Sequence, residues 1–208
     1  MSANLLCDQM DQAYPFLIEM AEIRRRARQH IAGGAATLNA AADRQLVIRL
    51  LNEALAAELV CVLRYKRHHF MGTDSIGNAV KDEFLKHSQE EQSHADRLAD
   101  RIAQLGGTAN LNPEGMIDRS QVEFAADETL ADMIEEDLIA ERVAIQSYSE
   151  IIQYIGTKDP TTRRLLESIL VVEQEHAEDL AGVRQEILRR ERGMIAADAN
   201  PLTSGELQ

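Results

Sequence analysis

Apolar residues recur along most of this chain at steps of three, four and seven, the spacing that lines one face of an α-helix. The first long stripe comprises Leu51, Leu55, Val62, Tyr65 and His69, and predicts a helix from about Asp43 to Phe70 that stops at Gly72. Phe84, Leu98, Ile102 and Leu105 predict a second, from near Ser75 to Gly106-Gly107. A third carries Ile134, Leu138, Ile145, Tyr148 and Ile152, opens at Thr129 with Asp132 as a capping pair, and ends at Gly156. Asp159-Pro160 caps and starts the fourth, whose stripe is Leu166, Ile169, Leu180, Val183 and Ile187. Residues 106–127 contain Pro113-Glu114-Gly115, lack strong periodicity and exceed a tight hairpin, so they predict a crossover the length of a bundle. A further helix from Pro15 to His30 precedes Gly33-Gly34. The expected fold is therefore all-α, a four-helix bundle with one long crossover between helices two and three, plus an extra N-terminal helix. Its divisions are an extension over 1–42, the bundle over 43–192, and a flexible tail over 193–208.

Charged residues interrupt these apolar stripes, and they do so twice in the same way. Glu58 lies within the first stripe and Glu91-x-x-His94 within the second; Glu141 and Glu173-x-x-His176 occupy the corresponding places in the third and fourth. Glu58 and Glu141 stand 83 positions apart, while the Glu91/Glu173 and His94/His176 pairs are each 82 apart. The neighbours repeat too. Tyr65 and Tyr148 each follow the lone glutamate by seven positions, His94-Ala95-Asp96 answers His176-Ala177-Glu178, and Leu98 answers Leu180.

A Glu and a His three residues apart on a helix project from one face, so each such pair can grip a divalent metal that a lone Glu on a neighbouring helix completes. Burying four ionised carboxylates without partners costs several kcal/mol at least. Two divalent cations balance the four negative charges, and a mixed oxygen and nitrogen ligand set suits iron or manganese better than thiolate-seeking metals. The pattern predicts that Glu58 and His94 hold one metal, Glu141 and His176 the other, and that Glu91 and Glu173 bridge them. His30, His68, His69 and His87 have no repeated counterparts and are expected to be surface or satisfied core residues. Glu90 is expected to be a solvated charge. Tyr65 and Tyr148 are left between core packing and support of the site, and Asp137, one turn before Glu141, between packing and orienting a ligand histidine.

Composition agrees with helices: the 208 residues include no Trp, 4% aromatics and only four prolines. One domain is the default at this length. The formal net charge of −13 disfavours nonspecific binding to nucleic acid or anionic membranes. Arg24-Arg25-Arg26 with Arg28 is the one basic cluster, expected as a solvated helix face. Cys7 and Cys61 fit no zinc spacing, and Cys61 reads as a small buried apolar residue. No signal peptide or membrane-spanning run is visible, so a cytoplasmic location is the simplest expectation.

Over about residues 43–190 these motifs resemble the bacterioferritin and Dps-like branches of the ferritin-like superfamily. Leu51-Asn52-Glu53 leading to Glu58 and Tyr65 is similar to the first helix of a bacterioferritin, and Glu91-Gln92-Ser93-His94-Ala95-Asp96-Arg97 to its second. The resemblance implies a ferroxidase that oxidises Fe(II) with oxygen or hydrogen peroxide and stores ferric mineral in an oligomeric shell. It implies two iron ions per chain, with manganese possible, held by Glu58, Glu91, His94, Glu141, Glu173 and His176, with Tyr65 near the centre. Haem is not expected, because the methionine that binds it in bacterioferritins is replaced here by Gln92. Little chain follows Arg192-Gly193 for a fifth helix, which favours a 12-subunit homo-oligomeric shell over 24 subunits. The segment Pro201-Leu202-Thr203-Ser204-Gly205-Glu206-Leu207 is similar to peptides that load cargo into encapsulin shells. The competing expectations are a manganese catalase or other peroxide-handling enzyme on the same ligands, and a DNA-coating protein acting through the Arg24 cluster, which the acidic balance disfavours.

Overall fold

The computed structural model describes residues 24–25, 28–29, 41–71, 78–120, 122, 124 and 129–198. The chain divides into two compact units, Met1–Ala36 and Thr37–Gln208. In the first, Arg24, Arg25, Arg28 and Gln29 are helical and exposed, and Arg25 donates to Gln29 one turn on at 3.1 Å. This is the solvated basic helix expected from the sequence; Cys7, Arg26, His30 and the rest of that segment lie outside the described residues.

The second unit contains α1 (Ala41–Met71), α2 (Asn78–Gln104), α3 (Met116–Arg119), α4 (Leu130–Ile155) and α5 (Pro160–Asp198), with no strand among the described residues. Local chemistry sets their ends. Gly106 adopts a left-handed φ of 76° that closes α2, and a Cβ on Gly107 would sit 2.8 Å from Ile48 Cγ2, so glycine alone lets the chain leave so close to α1. The Thr129 hydroxyl accepts the Asp132 N–H at 3.2 Å to start α4, and Gly156 ends it at φ 53°. Asp159 Oδ1 accepts the Thr162 N–H at 3.1 Å ahead of Pro160. The end of α5 differs from the sequence reading. It continues through Gly193 to Asp198 rather than stopping near Arg192, because Met194-Ile195-Ala196-Ala197 are helix-tolerant residues that carry one glycine along. Residues 199–208, including the cargo-like segment, lie outside the described residues.

α1 packs along α2 and α4 along α5, with α1 also facing α4 and α2 facing α5. Cross-helix bonds give the directions. Tyr65 reaches Glu141 while Tyr148 reaches Glu58, so α1 and α4 are antiparallel. Arg101 meets Asp159 while Lys86 meets Asp179, so α2 and α5 are antiparallel as well. The connection between α2 and α4 must then traverse the bundle. It leaves beside Leu105, which packs with Val47, Ile48 and Ile155, and Val122 packs with Tyr65, Phe84 and Met133 at the opposite end. The structure is a four-helix bundle with one long crossover, which carries the short α3.

The core is split into two apolar clusters. One holds Leu51, Leu55, Leu98, Ile102, Ile151, Leu166 and Ile169; the other holds Tyr65, Phe84, Met133, Ile134 and Leu180. The acidic and histidine residues of the repeat lie between them. The α1, α2 and α5 stripes fall largely where periodicity placed them, with His69 only half-buried and His68 inside instead. In α4 the buried face is rotated: Met133, Ile134, Asp137, Ala140, Glu141, Tyr148, Ile151 and Ile155 are buried, while Leu138, Ile145 and Ile152 are half-exposed. Among the described residues no helix is long and apolar enough to cross a membrane.

Where the two helical hairpins meet, a buried ion pair fastens α2 to the start of α5. Arg101 donates to both Asp159 oxygens at 2.9 and 3.0 Å and through Nε to Thr162 Oγ1 at 2.7 Å. Removing one partner of such a pair strands the other charge in the interior. Asp159→Ala also removes the cap of α5, and it is expected to lower unfolding free energy by about 3 kcal/mol or more, read from urea denaturation of the metal-free protein.

Candidate metal centre

All six residues of the repeat converge at mid-bundle, and none is more than 3% exposed. His94 Nδ1 lies 2.8 Å from Glu173 Oε1, 3.3 Å from Glu91 Oε2 and 3.4 Å from Glu58 Oε2. His176 Nδ1 lies 3.3 Å from Glu91 Oε1, 3.7 Å from Glu141 Oε1 and 3.8 Å from Glu173 Oε2. Two groups of potential ligands result, Glu58/Glu91/His94/Glu173 and Glu91/Glu141/Glu173/His176, each with its ligand atoms within 4.8 Å of one another. Glu91 and Glu173 belong to both. Glu58 Oε2, Glu91 Oε1 and His176 Nδ1 are buried and complete no hydrogen bond. Buried polar atoms left this way are rare and costly, and here they face the interior of the two groups, where a cation would satisfy them.

The tyrosines complete a reciprocal arrangement. Tyr65 on α1 donates to Glu141 Oε1 on α4, and Tyr148 on α4 donates to Glu58 Oε1 on α1. Glu58 thus turns Oε1 to a phenol and Oε2 to His94, whereas Glu141 Oε1 both accepts the phenol and lies 3.7 Å from His176 Nδ1. Both phenols are pushed well above the ordinary tyrosine range, by burial first and then by the carboxylate charges, so they remain protonated donors. Tyr148 plays the same part as Tyr65, and the equal spacing from the lone glutamates was the signal for it.

Burial and the crowding of carboxylates shift how the members of this cluster titrate. Burial raises Glu91 and Glu141 well above the usual carboxylate range, helped by the Glu58 charge at Glu91 and the Glu173 charge at Glu141. Glu173 is raised to about 8 by burial, then by Glu91 and Glu58. Burial also acts to raise Glu58, but contacts with Glu91 and His94 outweigh it and hold it low. At His94 burial favours the neutral ring, yet bonds to Glu173, Glu58 and Glu91 carry it up to about 12. Protons on carboxylates and an imidazolium at His94 thus stand where metal charge would stand.

Other expectations need correction. Glu90 is not simply solvated: its Oε2 lies 2.8 Å from His176 Nε2, on the side away from the centre, where it can orient that ring. Asp137 is buried but orients neither repeated histidine; it meets Arg64 Nε at 2.9 Å and His68 Nδ1 at 2.7 Å. His69 bonds the Lys81 carbonyl at 2.8 Å. Gln92 is exposed and donates to Asp96 at 2.9 Å. Cys61 is buried and free, as expected. His87 is fully buried, stacked on His176 with ring centroids 4.0 Å apart, and held neutral, with its pKa lowered to about 3 by burial and then by His176 and Lys86.

A protein-family model described as a ferritin-like domain matches residues 48–189, which takes in α2 and α4 whole, most of α1 and α5, and all six residues of the centre. The chain belongs to the ferritin-like family. Among its relatives, the bacterioferritin of Desulfovibrio desulfuricans is 29% identical over 131 residues, covering 62% of this chain and 69% of that protein. The DNA protection during starvation protein of Pyrococcus furiosus is 32% identical over 139 residues, 64% of this chain and 74% of that one. The bacterioferritin of Mycobacterium leprae is 32% identical over 135 residues, 64% and 80% of the two. In structure the ferritin-like chain is similar to a bacterioferritin-related dodecameric thioferritin of Bacteroides fragilis, with a TM-score of 0.69, 28% identity, and coverage of 72% of this chain and 90% of that one. Dps of Thermosynechococcus elongatus shares the fold at a TM-score of 0.64 and 20% identity, over 67% and 90% of the two chains.

The protonated state carries a pH signature. A cation entering this ferritin-like centre must displace protons from His94 and from raised carboxylates, so apparent affinity weakens as pH falls. Calorimetry with Co(II) in buffers of differing ionisation enthalpy is expected to show at least one proton released per chain at pH 7. Affinity should rise between about pH 6 and pH 8 by roughly tenfold per pH unit for each proton displaced. A pH-independent affinity would contradict the protonated cluster.

Proposed function

We propose that the protein is a ferroxidase that oxidises Fe(II) inside each bundle and stores the ferric product in a homo-oligomeric shell. The observation that carries this is the pair of overlapping four-residue groups sharing Glu91 and Glu173, with buried oxygens and a ring nitrogen turned inward and unbonded. Glu58 and His94 would hold one Fe(II), Glu141 and His176 the other, and the shared glutamates both. Iron here is substrate. Two ferrous ions side by side supply the two electrons that reduce dioxygen to hydrogen peroxide, or hydrogen peroxide to water.

The chain's own residues do the rest. Four carboxylates offset the charge of two divalent ions and favour the more highly charged ferric product further, which biases the site toward oxidation. Tyr65 and Tyr148 hold Glu141 and Glu58 in fixed rotamers, and Glu90 holds the His176 ring. The apolar clusters on either side confine water and oxidant to the polar layer. A shell of twelve subunits, as in the dodecameric relative, is the assembly we favour, with the bacterioferritin and Dps likenesses supporting a shell of this general kind.

Glu91→Ala and His94→Ala are expected to slow aerobic Fe(II) oxidation by about 100-fold or more, since even supporting residues of metal sites cost 10–100-fold. Stopped-flow absorbance of Fe(III) formation measures this, and unchanged kinetics in either variant would refute the proposal. Aerobic loading followed by size separation and iron analysis tests storage: a large particle holding many irons per chain is expected. A small oligomer that stops near two irons would point to a discrete di-metal enzyme, and oxygen evolution from peroxide by the manganese-loaded protein to a catalase.

A further inference from the structure

We propose that Glu83, His87 and Asp179 form an additional divalent-cation site on the far side of His176 from the di-metal centre, with the Lys86 ammonium holding the place when no cation is bound. The three residues offer one ligand atom each within 4.8 Å of one another. His87 Nε2 lies 3.2 Å from Glu83 Oε1 and 3.7 Å from Asp179 Oδ2. Although fully buried, His87 completes no hydrogen bond through either ring nitrogen. Glu83 is half-buried and Asp179 exposed, so the group opens to solvent on one side.

Lys86 shows that a positive charge belongs there. Its Nζ lies 2.8 Å from Glu83 Oε1 and 3.6 Å from Asp179 Oδ2, bridging the two carboxylates. A surface ion pair along α2 would account for Lys86 and Glu83. It does not account for a buried imidazole beside them whose nitrogens are unsatisfied. An M²⁺ ion satisfies all three: two carboxylates cancel its charge, a ring nitrogen adds a borderline ligand, and water fills the open positions. Fe(II), Co(II) and Zn(II) suit such a mixed set, whereas Mg²⁺ and Ca²⁺ prefer oxygen alone.

The site is contiguous with the centre. His87 stacks on His176, and His87, Glu90 and His176 form a second group whose ligand atoms lie within 4.8 Å of one another. It is also one-sided. At the 82-residue offset, Leu165 and Ile169 answer Glu83 and His87, and Arg97 answers Asp179, so the other half of the repeat holds no ligand there. A cation bound at His87 would therefore neighbour the metal held by His176 and not the one held by His94, an inference that rests on the proposed function only for which metals occupy the centre.

Co(II) is the probe, added anaerobically to the assembled full-length protein, with stoichiometry from calorimetry and positions from anomalous diffraction of soaked crystals. Three ions per chain are expected, one bonded to His87. The double variant Glu83→Gln/Asp179→Asn, altered only at accessible carboxylates, is expected to keep two. Lys86→Gln is expected to tighten the third ion by about 3- to 10-fold at low salt, by removing a competing nearby charge. Two ions in both wild type and double variant would overturn the proposal, as would a third ion that survives in the double variant. Glu91→Ala separates this from the function itself. If that variant loses no cobalt while the double variant loses one, the di-metal reading fails and the His87 site stands.

Discussion

Four carboxylates and two imidazoles buried at one level of a helical bundle impose the constraint from which the rest of this structure follows. Like charges at these distances repel strongly in a medium drier than water, and the helices that bear them are held together by apolar clusters on either side. The cluster survives because its negative charge is reduced from within. Burial and neighbouring carboxylates push Glu91, Glu141 and Glu173 toward their protonated forms, and three acidic neighbours favour the imidazolium of His94. Those same features are ones that could hold divalent cations. On the proposed reading, a metal bound there would have to displace those protons, which ties its affinity to pH.

Much of this was legible because the sequence writes the centre twice. Repetition at 82 and 83 positions selects Glu58, Glu91, His94, Glu141, Glu173 and His176 from many acidic residues, and helical periodicity puts each on a buried face. The tyrosines follow the same logic, although spacing alone did not distinguish packing from bonding. Only the antiparallel setting of α1 and α4 shows that each phenol crosses to the other half's glutamate rather than serving its own. The crossover was legible by a different route, since 106–127 is too long and too irregular for a hairpin, and the two ends of the core that it connects explain the length.

What escaped the sequence is the set of polar contacts that occur once. Asp137 answers Ala54, His68 answers Ile151, and Arg64 answers Ser147, so the Arg64/Asp137/His68 cluster has no echo by which to recognise it. That cluster also explains the misplaced stripe in α4. Periodicity assumes the apolar residues face inward, but Asp137 must be inside to meet Arg64, and bringing it in rotates Leu138, Ile145 and Ile152 toward the rim. Glu90 was misread for a related reason. Next to Glu91 it should face away from the centre, and it does; what the sequence could not show is that the back of His176 lies within its reach. The extent of α5 beyond Arg192, where a flexible tail was expected, escaped as well, because helix-tolerant neighbours carry Gly193 along with no cap chemistry to mark the true end.

The two halves of the centre are thus equal in ligands and unequal in setting. His94 faces three carboxylates through Nδ1. His176 faces the centre through Nδ1 and is tied through Nε2 to Glu90, with His87 stacked on its ring. A ring anchored at its outer nitrogen is held in one orientation toward the centre, whereas a ring drawn by three acceptors at one nitrogen is poised as a cation. On the proposed reading, metal therefore meets a ring of fixed orientation at His176 and a proton to be expelled at His94, so the two positions are unequal even though the repeat supplies them with matching residues. The internal duplication creates the site; the unrepeated residues around it remove the equivalence of its two halves.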